Sequence, residues 1–140
     1  MQRLEKVGLI PLPPYIKRDK TNETQNIKDK EPLLGILIES KKGLKNLKEI
    51  CEFKERIKIV SFGSHDLAKS INLKVSDDEK EILSYRKLIV SHSKNPIDTS
   101  YLNFKDLIGF EKSCNLAKNI GFGGKACIHP GQIEISNKIF

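Results

Sequence analysis

Short apolar runs alternate with segments of helical periodicity over most of this chain, and this alternation restricts the fold more than any other feature. Leu33–Ile38 (LLGILI) is an uninterrupted apolar run of strand length, which is typical of a strand covered on both faces. Further strand-like runs follow at IKIVSF (57–62), around Pro96–Thr99 and at KACIH (125–129). With helical segments between them the order is βαβαβαβα, which predicts a parallel sheet with right-handed crossovers.

One helix start is marked by a specific motif. Ser76 and Glu79 match the S-x-x-E capping box, so we expect a helix to begin there. Its apolar stripe would consist of Ile82, Tyr85 and Ile89. Three other helices are predicted around 44–51, 107–121 and 132–139.

The first 30 residues differ in composition from the rest. GLIPLPPYI (8–16) contains three prolines, which favour an extended path. Arg18–Lys30 has Ile27 as its single apolar residue, which is typical of a flexible linker. We therefore predict an extended or disordered arm over residues 1–30 and a folded domain over 33–140. A complete (β/α)₈ barrel needs about 250 residues, so the predicted fold is a partial TIM barrel of about four βα units.

Composition argues against several functional classes. Lys and Arg number 25 against 18 Asp and Glu, a formal charge of +7, but the lysines are scattered and Trp is absent, so a nucleic-acid partner is poorly supported. Cys51, Cys114 and Cys127 contain no C-x-x-C pair, which argues against zinc and disulfides. No apolar run approaches the ~20 residues that span a bilayer. We therefore expect a cytoplasmic protein with no membrane partner.

Two acidic residues follow the carboxyl ends of consecutive predicted strands. Glu39 comes after LLGILI, and Asp66 comes after IKIVSFGSH. Ligands of parallel α/β folds bind at this edge, and a separation of one βα unit would place both carboxylates there. Two such oxygen donors suit Mg²⁺. The alternative is that each carboxylate only caps the helix after it.

Three further features are candidate parts of a site. Asp98, at a third strand end, would either orient a substrate or a nearby water, or stabilise a turn beside Pro96. His65 adjoins Asp66 and would be either a base or a hydrogen-bonded surface group. GFGG (121–124) follows a helix and precedes a strand, the reverse of the phosphate-binding order, so it predicts an αβ loop. No catalytic residue is assigned.

Four segments, in order and with βα spacing over about residues 33–140, resemble the C-terminal half of the citrate lyase β-subunit family. They are IESKKGLKNLKEI (38–50), VSFGSHDLAKSI (60–71), PIDTSYLNFKDLIGF (96–110) and GFGGKACIHPGQI (121–133). The resemblance implies a TIM-barrel fold and Mg²⁺-dependent cleavage or formation of C–C bonds next to a thioester. The implied substrates are acyl-CoA thioesters of the citryl-, malyl- or citramalyl-CoA type.

The resemblance also implies residue roles. Glu39 would correspond to a Glu that binds metal and substrate, and Asp66 to the metal-binding Asp of the family's G-x-E-D-L segment. Ser40 stands where Thr is usual and His65 stands where Glu is usual. The second difference alters the charge beside the metal. Asp98 is the other candidate for substrate binding.

The family's first half, which includes a substrate-gripping arginine, has no counterpart here, so we expect a truncated lyase homologue with no robust activity alone. Half a barrel leaves two sheet edges unpaired and one apolar face uncovered. The chain would then dimerise or pair with a separately encoded N-terminal half, and a non-catalytic subunit or interaction module is the alternative function. Residues 4–26 resemble a stretch of S-adenosylmethionine:tRNA ribosyltransferase-isomerase, which leaves a tRNA-directed role as the third possibility.

Overall fold

A five-stranded sheet runs through the molecule in the order β1-β2-β3-β4-β5. The computed structural model describes residues 9–11, 34–53, 55–76 and 78–140. Strands β2 to β5 are parallel and adjacent in chain order, whereas β1 pairs antiparallel with β2. The predicted α/β class with a parallel sheet is therefore confirmed. The strands are β1 Leu9–Pro11, β2 Leu34–Ile38, β3 Ile57–Phe62, β4 Pro96–Asp98 and β5 Gly124–Lys125.

Helices follow each parallel strand. The predicted first helix is divided at Asn46, whose ψ of 6° departs from the helical value. The helix Ser64–Ser70 was not predicted, because it is a single short stretch of seven residues. Two 3₁₀ turns, Lys80–Ile82 and Pro130–Gln132, precede α4 and α6. The helices are α1 Lys41–Lys45, α2 Leu47–Cys51, α3 Ser64–Ser70, α4 Leu83–His92, α5 Leu107–Ile120 and α6 Ile133–Ile139.

The helix start predicted from Ser76 and Glu79 is wrong. The Ser76 hydroxyl donates to Glu81, at 2.7 Å from its Oε2, and the Ser76 N–H also donates to that carboxylate. Glu79 has a left-handed φ of +52°, and its carboxylate accepts a 2.7 Å hydrogen bond from Arg86 Nη2. The α-helix begins later, at Leu83. A buried guanidinium needs a carboxylate partner, and this contact takes Glu79 away from the capping position.

The helices cover one face of the sheet. The buried side chains Ile36 and Ile38 lie on either side of the half-buried Leu37, and Val60 and Phe62 lie on either side of the half-buried Ser61, as the period of two in a strand requires. They pack against helix and loop residues in one apolar cluster, which includes Leu47, Leu67, Ile82, Ile89, Ala117 and Phe122.

The opposite face of the sheet carries Leu37, Ile59 and Ile97. These side chains are half-buried and belong to neither apolar cluster of the described residues. We call these three residues the uncovered face, meaning that they lie outside both clusters, although none of them is among the exposed hydrophobic side chains.

The arm contributes one strand to the sheet. β1 pairs with β2 through Leu9↔Ile36 and Pro11↔Leu34, where the sequence predicted only an extended path. The predicted linker of residues 18–30 lies outside the described residues. All three cysteines are free. Within the described ranges, no helix is both long and apolar enough to cross a membrane.

Candidate functional site

Glu39 and Asp66 lie at the same edge of the sheet. Strands β2 and β3 are parallel with Ile38 opposite Phe62, and the Gly63 N–H donates to the Ile38 carbonyl at 2.9 Å. Glu39 directly follows Ile38, and Asp66 lies in the first turn of α3, just beyond Gly63. The placement predicted from one βα step is therefore the placement observed.

Gly63 brings the backbone after β3 close to Glu39. A Cβ added at Gly63 would lie 2.8 Å from the Glu39 Cβ, which is closer than two such atoms can pack. Gly63 also lines a cavity of about 190 Å³, whose wall includes His65, Asp66 and Thr99. Glu39 therefore packs against Gly63 in the wall of the cavity that Asp66 also lines.

Neither carboxylate caps the helix that follows it. Ser40 Oγ accepts the Gly43 N–H at 3.1 Å and so caps α1. The Asp66 carboxylate is 62% exposed and contacts Lys69 Nζ at 3.4 Å. The Glu39 side chain is half-buried and makes no hydrogen bond or ion pair with a described residue. Hydrogen-bonded capping is therefore not seen for either residue, but Asp66 lies in the first turn of α3, where a negative charge favours the helix.

This pair of carboxylates fits Mg²⁺, which in proteins keeps several waters and takes one or two carboxylates. Over the described part of the chain, no group of three or more His, Cys, Asp and Glu is arranged to hold a metal ion. Water and substrate oxygens would therefore complete the ligand set. Two carboxylates are too few for a closed four-ligand zinc site.

The Asp98 carboxylate is engaged within the helix-covered layer. Arg86 Nε donates to Asp98 Oδ1 at 3.0 Å, and Lys125 Nζ donates to Oδ2 at 2.6 Å. All three side chains are 0% exposed. The alternative role for Asp98 was to stabilise a turn beside Pro96, and these ion pairs are not part of such a turn. Asp98 nevertheless lines the same cavity as Asp66, and its part in substrate binding stays a prediction.

Sequence reasoning missed Arg86 and Lys125. Burial alone would lower the pKa of the Arg86 guanidinium, but the nearby Asp98 and Glu79 carboxylates outweigh burial and raise that pKa above its usual value. A signal for Arg86 was present, because it falls four residues after Ile82 on the predicted apolar stripe. A charge in that position requires a buried partner.

A second set of contacts joins α3 to the residues after β4. The Ser64 hydroxyl donates to Thr99 Oγ1 at 3.0 Å, and both side chains are buried. His65 Nε2 lies 3.1 Å from the Ser100 carbonyl oxygen. Because a carbonyl only accepts, Nε2 carries the hydrogen. We call these contacts of Ser64 and His65 with residues 99–100 the α3–β4 clamp. His65 is thus hydrogen-bonded, which agrees with the second of the two roles that the sequence left open for it.

The model of the HpcH/HpaI aldolase/citrate lyase family matches residues 14–130. The chain belongs to this family. It is 31% identical over 111 residues to a (3S)-malyl-CoA thioesterase of Cereibacter sphaeroides, covering 76% of this chain and 39% of that protein. It is 34% identical over 117 residues to the mitochondrial citramalyl-CoA lyase of Rattus norvegicus, covering 74% and 34%. The chain therefore spans well under half the length of these family members.

Solved structures agree on the fold. RipC from Yersinia pestis superposes with a TM-score of 0.73 at 27% identity, over 77% of this chain and 51% of RipC. The citrate lyase β subunit from M. tuberculosis, complexed with oxaloacetate and magnesium, superposes with a TM-score of 0.66 at 22% identity. That match covers 74% of this chain and 50% of the β subunit. At that identity it supports the fold alone.

Proposed function

We propose that this chain carries the Mg²⁺-binding edge of a C–C lyase for acyl-CoA thioesters of the citryl-, malyl- or citramalyl-CoA type. The observation that carries the proposal is the position of Glu39 and Asp66 at adjacent strand ends beside one cavity. Support comes from the family members, since both curated relatives are named for CoA thioesters. A solved member of the fold also holds magnesium together with oxaloacetate.

Glu39 and Asp66 are the proposed metal ligands, and Glu39 and Asp98 are the proposed substrate-binding residues. A bound Mg²⁺ would polarise a substrate oxygen and stabilise the negative charge that develops on it. The half-buried Glu39 is held against Gly63, which limits the positions its carboxylate can take. Asp98 lines the same cavity, and its ion pairs with Arg86 and Lys125 would fix its position for the substrate.

We also propose that the four parallel strands form half of a (β/α)₈ barrel. The uncovered face, and an edge of β5 with which no described strand pairs, are what such a half would present. The outer edge of β2 is already paired with β1. A second copy of the chain, or a separate N-terminal half, would cover the remaining surface.

Titration of Mg²⁺ by calorimetry tests the metal site. We expect Glu39→Ala and Asp66→Ala each to weaken binding by at least about tenfold, the lower end of the losses seen when metal-site groups are removed. Glu52→Ala, which removes an exposed carboxylate at the end of α2, should bind as the wild type does. Melting temperatures of all four proteins check that each is folded. Equal weak binding in all four would contradict the proposal.

A non-catalytic subunit or interaction module is the second candidate, and the uncovered face of Leu37, Ile59 and Ile97 favours it. Size-exclusion chromatography with candidate partner proteins separates the two proposals. A stoichiometric complex together with unchanged Mg²⁺ binding in the Glu39 and Asp66 variants would favour the module.

Two further expectations stay predictions. The tRNA-directed role rests on residues 4–26, most of which lie outside the described ranges, and a failure to bind tRNA at low salt would remove it. The cytoplasmic location is likewise a prediction from sequence.

A further inference from the structure

We propose that His65 is a positioning residue: its hydrogen bond to the Ser100 carbonyl holds the first turn of α3 so that the Asp66 carboxylate stays at the cavity beside Glu39. The inference rests on the proposed metal site and adds a residue to it. His65 would act through the backbone of the turn, without touching the ion.

The first turn of α3 has no side-chain cap of its own. The residue at its N-terminal cap is Gly63, which has no side chain that could accept a backbone N–H. The helix is only seven residues long. Uncapped first turns leave backbone N–H groups without partners and are readily frayed. The turn therefore depends on contacts from outside the helix.

The α3–β4 clamp supplies those contacts. Thr99 Oγ1 accepts from the Ser64 hydroxyl at 3.0 Å and from the Ser64 N–H at 3.4 Å, so it stands in for the missing cap from a neighbouring strand. Ser64 and Thr99 are 1% and 3% exposed. This buried pair anchors the start of the turn, and the next residue, His65, ties it to Ser100 at the cavity wall.

The position of Asp66 depends on this backbone. Among the described residues its carboxylate contacts only Lys69, which belongs to the same helix and is itself exposed. No described residue of another element bonds to this side chain, so its distance from Glu39 is set by the orientation of the turn. A hydrogen bond on the adjacent residue is the nearest control over that orientation.

A matched pair of variants tests the inference. In His65→Gln the side-chain amide can place an N–H where the ring Nε2–H lies, whereas His65→Met has similar length and no donor. We measure the affinity for Mn²⁺ alone by electron paramagnetic resonance, with Mn²⁺ as the probe because carboxylate sites for Mg²⁺ accept it. His92→Met, in α4 and away from this cavity, is the control for replacing a histidine.

We expect His65→Met to weaken Mn²⁺ binding by about tenfold, as loss of a supporting hydrogen bond at a metal site does, while His65→Gln and His92→Met stay close to the wild type. Amide hydrogen exchange at Leu67, whose N–H donates to Gly63, should accelerate in His65→Met and be restored in His65→Gln. A merely structural residue would not show this rescue in both measurements.

The outcomes separate the inference from the function on which it rests. If Asp66→Ala loses Mn²⁺ binding while His65→Met retains it, the inference is wrong and the metal site stands. If Asp66→Ala binds Mn²⁺ as the wild type does, the metal site and the inference both fail.

Discussion

Gly63 is the residue at which the backbone approaches the candidate site most closely. We predict that Gly63→Ala weakens Mg²⁺ binding, because its Cβ would lie 2.8 Å from the Glu39 Cβ and must displace Glu39 or the turn before α3. Gly43→Ala is the control, since its nearest contact is 3.4 Å and Ala favours the helix by roughly 0.5–1 kcal/mol. Calorimetric titration of both variants checks this. Wild-type affinity in Gly63→Ala would show that Glu39 is not held there.

Cys114 provides a prediction of pH dependence. Its thiol is fully buried, and burial raises its pKa to about 11. Because the folded-state pKa lies above the unfolded value of about 8.5, the stability linked to this group is complete below pH 8.5 and falls as pH rises toward 11. Urea unfolding at pH 8 and pH 10.5 should show the wild type losing more stability than Cys114→Ala. Equal losses would contradict the assignment.

At the scale of elements, the ion pairs of Asp98 with Arg86 and Lys125 join α4, β4 and β5. We predict that Asp98→Asn lowers the free energy of unfolding by about 3–5 kcal/mol, because it leaves two buried cations without their shared carboxylate. Lys69→Gln, which removes an exposed ion pair, should change it by less than about 1 kcal/mol. Chemical denaturation of both variants measures the difference. A denaturation midpoint of Asp98→Asn equal to that of the wild type would show that these ion pairs do not stabilise the fold.

The same elements show what a sequence can and cannot predict. A continuous apolar run located β2 and a shorter strand-like run located β3, and parallel topology then required Glu39 and Asp66 to share an edge. The capping motif failed because the Glu79 carboxylate binds Arg86. The apolar stripe indicated that Arg86 needs a buried partner but not which carboxylate supplies it. The partners of Asp98 were missed for a similar reason, since Lys125 meets it only through the register of β4 with β5.

At the scale of the whole molecule, the sheet has helices on one face and the uncovered face on the other. We predict that the purified 140-residue chain does not cleave citramalyl-CoA or malyl-CoA above the uncatalysed rate. Four parallel strands cannot close a barrel by themselves, and substrate positioning supplies much of a lyase's rate. Chromatographic assay of thioester products checks this, with the rat citramalyl-CoA lyase as the active control. Efficient turnover by the monomer would contradict it.

The central claim is that Glu39 and Asp66 hold one cation between them, and a double-mutant cycle on Mg²⁺ binding tests it most directly. Two ligands of one ion are coupled, so their effects on binding do not add. We expect Glu39→Ala/Asp66→Ala to bind Mg²⁺ little more weakly than either single variant. Binding free energies that add across the cycle, or single variants that bind as the wild type does, would contradict the claim.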